Sequence, residues 1–142
     1  FERESHLPAF TIANSALSLK QDLRNHPTRF IGFMRIWDIS PEKLCRAHLL
    51  GEHRELHAIW TILTQAKKGY VHHPEVLRWQ GKLRALYRRH EALVAEMEKR
   101  GYRHQSPIHE DLATGKCVQD QFVHTCEEQI EILKRKRCTC KV

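Results

Sequence analysis

The stretch that decides the fold is MRIWDISPEKLCRAHLLGEHREL, residues 34–56. Its Asp38-Ile39-Ser40-Pro41 run is typical of a helix entry, with Ser40 as the N-cap and Pro41 at the first helical position. Beyond it, apolar residues recur three and four apart, as on the buried face of an amphipathic helix. These residues are Cys45, Leu49, Leu56, Ile59, Trp60 and Leu63. The spacing predicts a first helix over residues 41–66, followed by the basic turn and glycine of Lys67-Lys68-Gly69.

Three ionisable residues lie on or beside this apolar face. Glu52 falls in its middle, where a carboxylate is costly to bury without a partner. Glu55 and His48 share its edge, beside small residues that let another group approach the helix backbone: Ala47, Gly51 and Ala58. One interpretation makes Glu52 a structural acid that pairs with a cation on another helix. The other makes Glu55 a catalytic carboxylate facing a groove, and periodicity alone leaves both open.

A second helix is predicted from Pro74 to Arg100, ending at Gly101. Apolar residues alternate three and four apart along it, and His90 lies in this seam as a core histidine. The outer face is basic, and it serves either as a solvated surface or as a DNA contact. That face carries Arg78, Lys82, Arg84, Arg88 and Arg89.

The C-terminal part predicts one more helix. Thr125 and Glu128 form a capping-box pattern that starts a helix from Cys126 to about Arg137. No alternation in the chain is long enough to build a sheet. The predicted fold class is therefore all-α, a single compact domain of about three helices with extended loops.

Composition bounds the function. The net charge is +7, with eleven histidines in addition, which suits a polyanion such as nucleic acid but also an ordinary basic surface. No apolar run is long enough for a membrane span or a signal peptide, so we expect an unexported, cytoplasmic protein with no membrane partner. The five cysteines are irregularly spaced, and in that compartment they predict reduced thiols instead of a disulfide framework.

Residues 1–33 differ in character from residues 34–142. They begin with Phe1 and show no sustained periodicity, and Met34 stands just before the first helix entry. We interpret residues 1–33 as an extension that is not part of the native protein, with translation starting at Met34. The alternative is an ordinary N-terminal extension that packs on the domain formed by residues 34–142.

Residues 34–56 resemble the N-terminal motif of the pyrimidine dimer DNA glycosylase/AP-lyase family, the phage endonuclease V type. The resemblance rests on Met34-Arg35-Ile36, then His48-Leu49, then Glu52-His53-Arg54-Glu55-Leu56. A second match is Lys82-Leu83-Arg84-Ala85-Leu86-Tyr87-Arg88-Arg89-His90, running on to Met97-Glu98-Lys99-Arg100-Gly101-Tyr102. Together the matches cover roughly positions 34 to 104, and their order is more informative than any single piece.

The resemblance implies a mechanism. In that family the nucleophile is the free α-amino group of the N-terminal residue, which here is Met34. The match places the acid–base carboxylate on Glu55, phosphate contacts on Arg35 and Arg54, and a site histidine on His48. By the same resemblance, the partner is damaged double-stranded DNA, the protein is a nucleoid-associated monomer, and no cofactor is needed. Lys82 and Arg88, in the second match, complete the expected DNA-binding set.

Two other kinds of function stay open on the residues. One is a helical DNA-binding or adaptor protein without catalysis, which the basic charge alone supports. The other is a metal-binding module. His53 and His57 lie four apart on one helical face with His72-His73 in the following loop, and a second donor set comprises Cys117, Cys126, Cys138 and Cys140. Neither set has the spacing of a common zinc motif, so no metal ligand is assigned.

Overall fold

The computed structural model describes residues 34–142. Within this part the chain forms four α-helices and no strand, which confirms the all-α prediction. The helices are α1 (Arg46–Thr64), α2 (Pro74–Leu77), α3 (Leu83–Lys99) and α4 (Cys126–Arg135), with short 3₁₀ turns at Pro41–Lys43 and Glu110–Leu112. The interpretation of residues 1–33 as a non-native extension lies outside the described residues.

The first helix begins later than the sequence predicted. Ser40 and Pro41 start only a 3₁₀ turn, after which Leu44 returns to an extended conformation and Cys45 becomes the N-cap of α1. Leu44 is 2 % exposed, so its burial explains why the chain breaks here instead of running on as one helix. The helix also ends earlier than predicted, at Thr64. The residue that adopts a left-handed backbone conformation after it is Ala66, not the predicted Gly69.

The predicted second helix is two helices. α2 ends at Leu77, and the chain turns through Gly81, whose φ of +74° is a left-handed conformation that glycine adopts without strain. The loop at residues 114–116 packs against this turn. The Lys116 amide donates to the Gly81 carbonyl, and the amides of Arg84 and Ala85 donate to carbonyls of the loop. The loop thus satisfies amides at the start of α3 that a continuous helix would have paired internally.

The core lies between α1 and α3. The predicted apolar faces are confirmed at Leu49, Leu56 and Ile59 on α1 and at Leu86 and Leu93 on α3, all of which are fully buried. The segment before α1 joins the same core through a further set of buried side chains: Met34, Ile36, Trp37 and Ile39. Residues 34–39 are therefore an integral layer of the domain.

Helix α4 begins as predicted, with the Thr125 side chain accepting from the Glu128 amide and the Glu128 carboxylate accepting from the Thr125 amide. It ends at Arg135, two residues earlier than expected. The chain after it returns to the start of α1, where the Lys141 amide donates to the Lys43 carbonyl at 2.7 Å. This contact brings the C-terminal segment beside the N-terminus of α1.

Candidate active site

Glu52 is a structural acid. Its carboxylate is fully buried and accepts two hydrogen bonds from Arg89 of α3, at 2.6 Å from Nε and 3.0 Å from Nη2. Burial raises the pKa of Glu52, and the Arg89 guanidinium and the Trp37 amide, which donates to the same carboxylate, oppose that rise. The interpretation of Glu52 as an acid paired with a cation on another helix is confirmed.

The surroundings of Glu55 differ from those of Glu52, although Glu55 lies only about one helical turn after it. Its side chain is about half buried, and within residues 34–142 no hydrogen bond or ion pair engages its carboxyl. Burial raises the pKa of Glu55 to about 7, against a smaller opposing effect of the neighbouring Arg54 charge. A carboxyl with such a pKa holds and releases a proton near neutral pH, as a general acid–base group must.

The first segment of the domain passes along α1 next to Glu52 and His48. The Trp37 amide donates to Glu52, and the Trp37 ring meets the His48 ring edge-on with centroids 5.7 Å apart. Asp38 fixes the segment from the other side through a 3.1 Å ion pair with Arg78 and two hydrogen bonds with Gln129. Residues 37 and 38 are therefore held firmly beside the turn of α1 that precedes Glu55.

Arg35 projects from the same segment. Its guanidinium stacks on the Trp37 ring at 4.9 Å from the centroid, and Nη1 is 3.2 Å from Nδ1 of His124. Burial lowers the pKa of Arg35, although an arginine stays charged at neutral pH. No carboxylate within residues 34–142 forms an ion pair with Arg35, so the charge is compensated only at longer range by Glu75 and Asp38.

The prediction of a basic outer face on the second helix is wrong for three of its five residues. Arg78 is 5 % exposed and binds Glu75 and Asp38, and Arg89 binds Glu52. Lys82 is 4 % exposed, and its ammonium contacts Gln119, Gln121 and Asp120. The break at Gly81 turns this part of the chain inward, which a single continuous helix would not do. Arg84 and Arg88 remain accessible.

Four histidines converge on another face of α1, and we call them the histidine cluster: His53, His57, His90 and His104. Nε2 of His53 lies 3.2 Å from Nε2 of His104, and Nε2 of His57 lies 3.2 Å from Nε2 of His90. Burial and the other three imidazoles lower the pKa of His53 to about 4. The sequence did not single out His90 and His104 as ligands, and the expected partners His72 and His73 lie outside the cluster.

A second group, the thiol–imidazole cluster, joins the N-terminus of α1 to the C-terminal segment. It comprises Cys45, His48, Cys138 and Cys140, whose ligand atoms all lie within 4.8 Å of one another. Nδ1 of His48 is 3.1 Å from Sγ of Cys45 and 3.3 Å from Sγ of Cys140. The sequence grouped Cys138 and Cys140 with Cys117 and Cys126, which are exposed and outside this cluster. The Cys45-x-x-His48 spacing was the overlooked signal.

Across residues 34–142, no helix combines the length and the apolar character needed to cross a membrane. The fold and the site thus define a small, basic, all-α protein, and within residues 34–142 its first helix presents a carboxyl with a raised pKa and no hydrogen-bond or ion-pair partner. The family model for pyrimidine dimer DNA glycosylases matches residues 34–110, more than half of the chain, and the chain belongs to this family. Comparison with curated proteins gave no match, and comparison with solved structures gave none either. Membership confirms the resemblance seen in the sequence and makes the chain a DNA-binding glycosylase by family.

Proposed function

We propose that this protein excises damaged pyrimidines from double-stranded DNA and nicks the strand as an AP lyase, using the α-amine of Met34 and the carboxyl of Glu55. It acts on nucleoid DNA as a monomer. The observation that carries the proposal is Glu55 itself, a half-buried carboxyl with a pKa of about 7 and no partner within residues 34–142. Structural acids in proteins are normally paired, as Glu52 is, so an unpaired one at a family motif position fits a reacting group.

The position of the first segment supports the nucleophile. Trp37 donates its amide to Glu52, one turn before Glu55, so the residues that begin at Met34 pass beside the same stretch of α1. An α-amine has a pKa of about 8, well below that of lysine, and a useful fraction is neutral at physiological pH. In the proposed reaction this nitrogen forms a bond to C1′ of the damaged nucleotide as the bond from C1′ to the base breaks. The base leaves with the electron pair of that bond and takes up the proton that the amine nitrogen loses.

Glu55 serves twice in this scheme. As the acid it donates a proton to the sugar ring oxygen, so the ring opens and the bond between the amine and C1′ becomes an imine. As the carboxylate it then accepts a 2′ proton, and the electron pair that is released expels the 3′ phosphate by β-elimination. A pKa of about 7 suits both steps, because the acid and its conjugate base are both populated near neutral pH.

The mechanism needs a free amine. In the 142-residue chain the Met34 nitrogen is acylated by residue 33, and an amide nitrogen is not a nucleophile. We therefore propose that the active form begins at Met34. The alternative, a lysine nucleophile, requires an ammonium near Glu55, and the Lys82 ammonium is instead held by Gln119, Gln121 and Asp120.

The proposed DNA contacts are cationic side chains that can still reach a phosphate. Arg54 is exposed next to Glu55, Arg88 is accessible on α3, and Arg35 lies beside Trp37 without an ion-pair partner within residues 34–142. His48 turns Nδ1 toward two sulfurs, which leaves Nε2 as the ring nitrogen for DNA. We leave Lys82 out of this set because a phosphate would have to displace three existing contacts.

Borohydride trapping tests the proposal, because reduction of the imine links the enzyme covalently to DNA. The chain beginning at Met34 and the 142-residue chain are each incubated with undamaged, abasic and ultraviolet-irradiated duplexes. We expect covalent product only from the shorter chain and only on abasic or irradiated DNA. Equal trapping by both chains would contradict the α-amine assignment, and DNA binding without any trapping would favour a silent DNA-binding protein.

A matched pair of variants tests Glu55. We expect Glu55→Gln to fold normally and to lose strand cleavage, because the amide cannot exchange a proton. Glu98→Gln removes an exposed carboxylate from α3 and should leave cleavage unchanged. Full cleavage by Glu55→Gln would remove Glu55 from the mechanism.

A further inference from the structure

The thiol–imidazole cluster brings together the two ends of the described domain. Cys45 caps the N-terminus of α1 and His48 lies in its first turn, while Cys138 and Cys140 arrive with the C-terminal segment. Three sulfurs and one imidazole nitrogen converge with all ligand atoms within 4.8 Å, and no carboxylate belongs to the set. Sulfur and imidazole nitrogen are the donor atoms that zinc prefers in structural sites of proteins.

The spacing of these atoms suits a tetrahedral ion. Zinc bonds of about 2.3 Å to sulfur and 2.0–2.1 Å to nitrogen place neighbouring ligand atoms about 3.5–3.8 Å apart. Nδ1 of His48 lies 3.1 Å and 3.3 Å from the two nearest sulfurs, so small side-chain rotations reach that geometry. The Cys45 amide donates to Sγ of Cys140 at 3.1 Å, which is the kind of outer-shell hydrogen bond that orients a thiolate ligand.

We propose that Cys45, His48, Cys138 and Cys140 bind one Zn²⁺ ion as a structural site. A donor set of three cysteines and one histidine is a common composition for closed zinc sites, and sulfur-rich sets discriminate against Mg²⁺ and Ca²⁺. Four protein ligands leave no open position for a substrate. The ion therefore fastens the C-terminal segment to α1, next to the backbone bond between Lys141 and Lys43. This site goes beyond the proposed glycosylase chemistry and does not depend on it.

Cobalt substitution tests the site directly. The purified full chain is reduced, stripped of metal and titrated with Co²⁺, whose thiolate complexes show an intense charge-transfer band in the near ultraviolet. We expect this band in the native protein and its loss on addition of Zn²⁺. The paired variant Cys138→Ser with Cys140→Ser should lack the band. The matched control, Cys117→Ser with Cys126→Ser, removes two exposed thiols and should keep it.

Two outcomes would overturn the proposal: the absence of the band from the native chain, or its persistence in the Cys138/Cys140 variant. A disulfide within the cluster, seen as a loss of two hydrogens in the intact mass before reduction, would also overturn it. If the variant fails to fold, the native chain still decides the matter. Zinc must then raise its melting temperature and protect the C-terminal segment from proteolysis, and an unchanged protein would refute a structural ion.

The histidine cluster carries a second, independent inference. We propose that His53, His57, His90 and His104 bind one divalent transition-metal ion through their Nε2 atoms. Tetrahedral bonds of about 2.0–2.1 Å set neighbouring nitrogens about 3.3–3.4 Å apart, and two Nε2 pairs already lie at 3.2 Å. All four ligand atoms lie within 4.8 Å of one another, and imidazole suits zinc, copper and nickel.

The surroundings of His90 strengthen this assignment. Nδ1 of His90 lies 2.8 Å from Oε2 of Glu91, so the proton is held on Nδ1 and the Nε2 lone pair points into the cluster. A carboxylate behind a histidine in this way is a recurrent support for metal ligands, and its removal typically weakens metal affinity about 10–100-fold.

Metal stoichiometry separates the two sites. The paired variant His57→Gln with His104→Gln should bind one metal equivalent fewer than the native chain and keep the thiolate charge-transfer band. The matched control, His72→Gln with His109→Gln, changes two exposed histidines and should keep the full stoichiometry. Glu91→Gln should weaken this site alone by roughly 10-fold or more. Unchanged stoichiometry in the His57/His104 variant, or unchanged affinity in Glu91→Gln, would overturn the inference.

Discussion

Replacement of Arg89 by alanine should strongly destabilise the domain. Glu52 has no exposed side-chain surface, and Arg89 donates both of the close hydrogen bonds that the carboxylate receives from another side chain, at 2.6 and 3.0 Å. Without Arg89, the Trp37 amide is left as the main group that stabilises the charged carboxylate. Breaking a buried pair from one side costs about 3–5 kcal/mol of unfolding free energy, because the other charge stays buried and uncompensated.

The pH dependence of this variant has a definite sign. Without Arg89, little remains to oppose the rise that burial causes in the pKa of Glu52, so this pKa rises further above the ordinary value. Between the unfolded and the folded pKa the native state binds the extra proton, so the unfolding free energy falls as pH rises. The loss of unfolding free energy in Arg89→Ala relative to the native chain should therefore be largest at neutral and higher pH and smaller at about pH 5.

Urea unfolding followed by circular dichroism at pH 5 and pH 7 measures both effects. The control is Arg84→Ala, whose partner Glu110 lies 3.5 Å away in an ion pair open to solvent, with the two side chains 39 % and 67 % exposed. This variant should cost at most about 1 kcal/mol. Glu52→Gln combined with Arg89→Leu removes both charges and should recover most of the loss. A loss below about 1 kcal/mol for Arg89→Ala, or a deficit that does not change with pH, would refute this account of Glu52.

Three further predictions concern other parts of the domain. Strand cleavage by the chain that begins at Met34 should follow a bell-shaped pH profile with its maximum between about pH 7 and 8. The reason is that cleavage needs both protonated Glu55, whose pKa is about 7, and a neutral α-amine. A cleavage rate that rises monotonically to pH 9 would contradict this. Arg54→Ala should weaken DNA binding and reduce the salt slope by about one, and an unchanged slope in a binding titration would argue against a phosphate contact. Gly115→Ala should lower the unfolding free energy by about 2 kcal/mol or more, because φ is +83° and the new Cβ would overlap the Gly81 carbonyl. Gly69→Ala meets nothing within 4 Å and is the matched control in the same unfolding assay.

Local rules explain which predictions were right. The Thr125 capping box and the apolar faces with Leu56 and Leu86 are confirmed, because a cap and a helical period depend on residues only a few positions apart. The cost of a lone buried carboxylate likewise predicted that Glu52 would find a cation. The same local rules were wrong about the second helix, since the break at Gly81 is stabilised by a distant loop that includes Lys116.

The sequence by itself therefore determined the helical class, the buried faces, the family motif and the candidate carboxyl Glu55. Only the tertiary structure decided which side chains meet. In the folded domain Lys82 is buried, Arg89 is the partner of Glu52, and Cys45 contacts Cys140. The reason is that periodicity records how a residue faces relative to its own helix axis, whereas a contact between distant residues depends on how the helices and loops pack together.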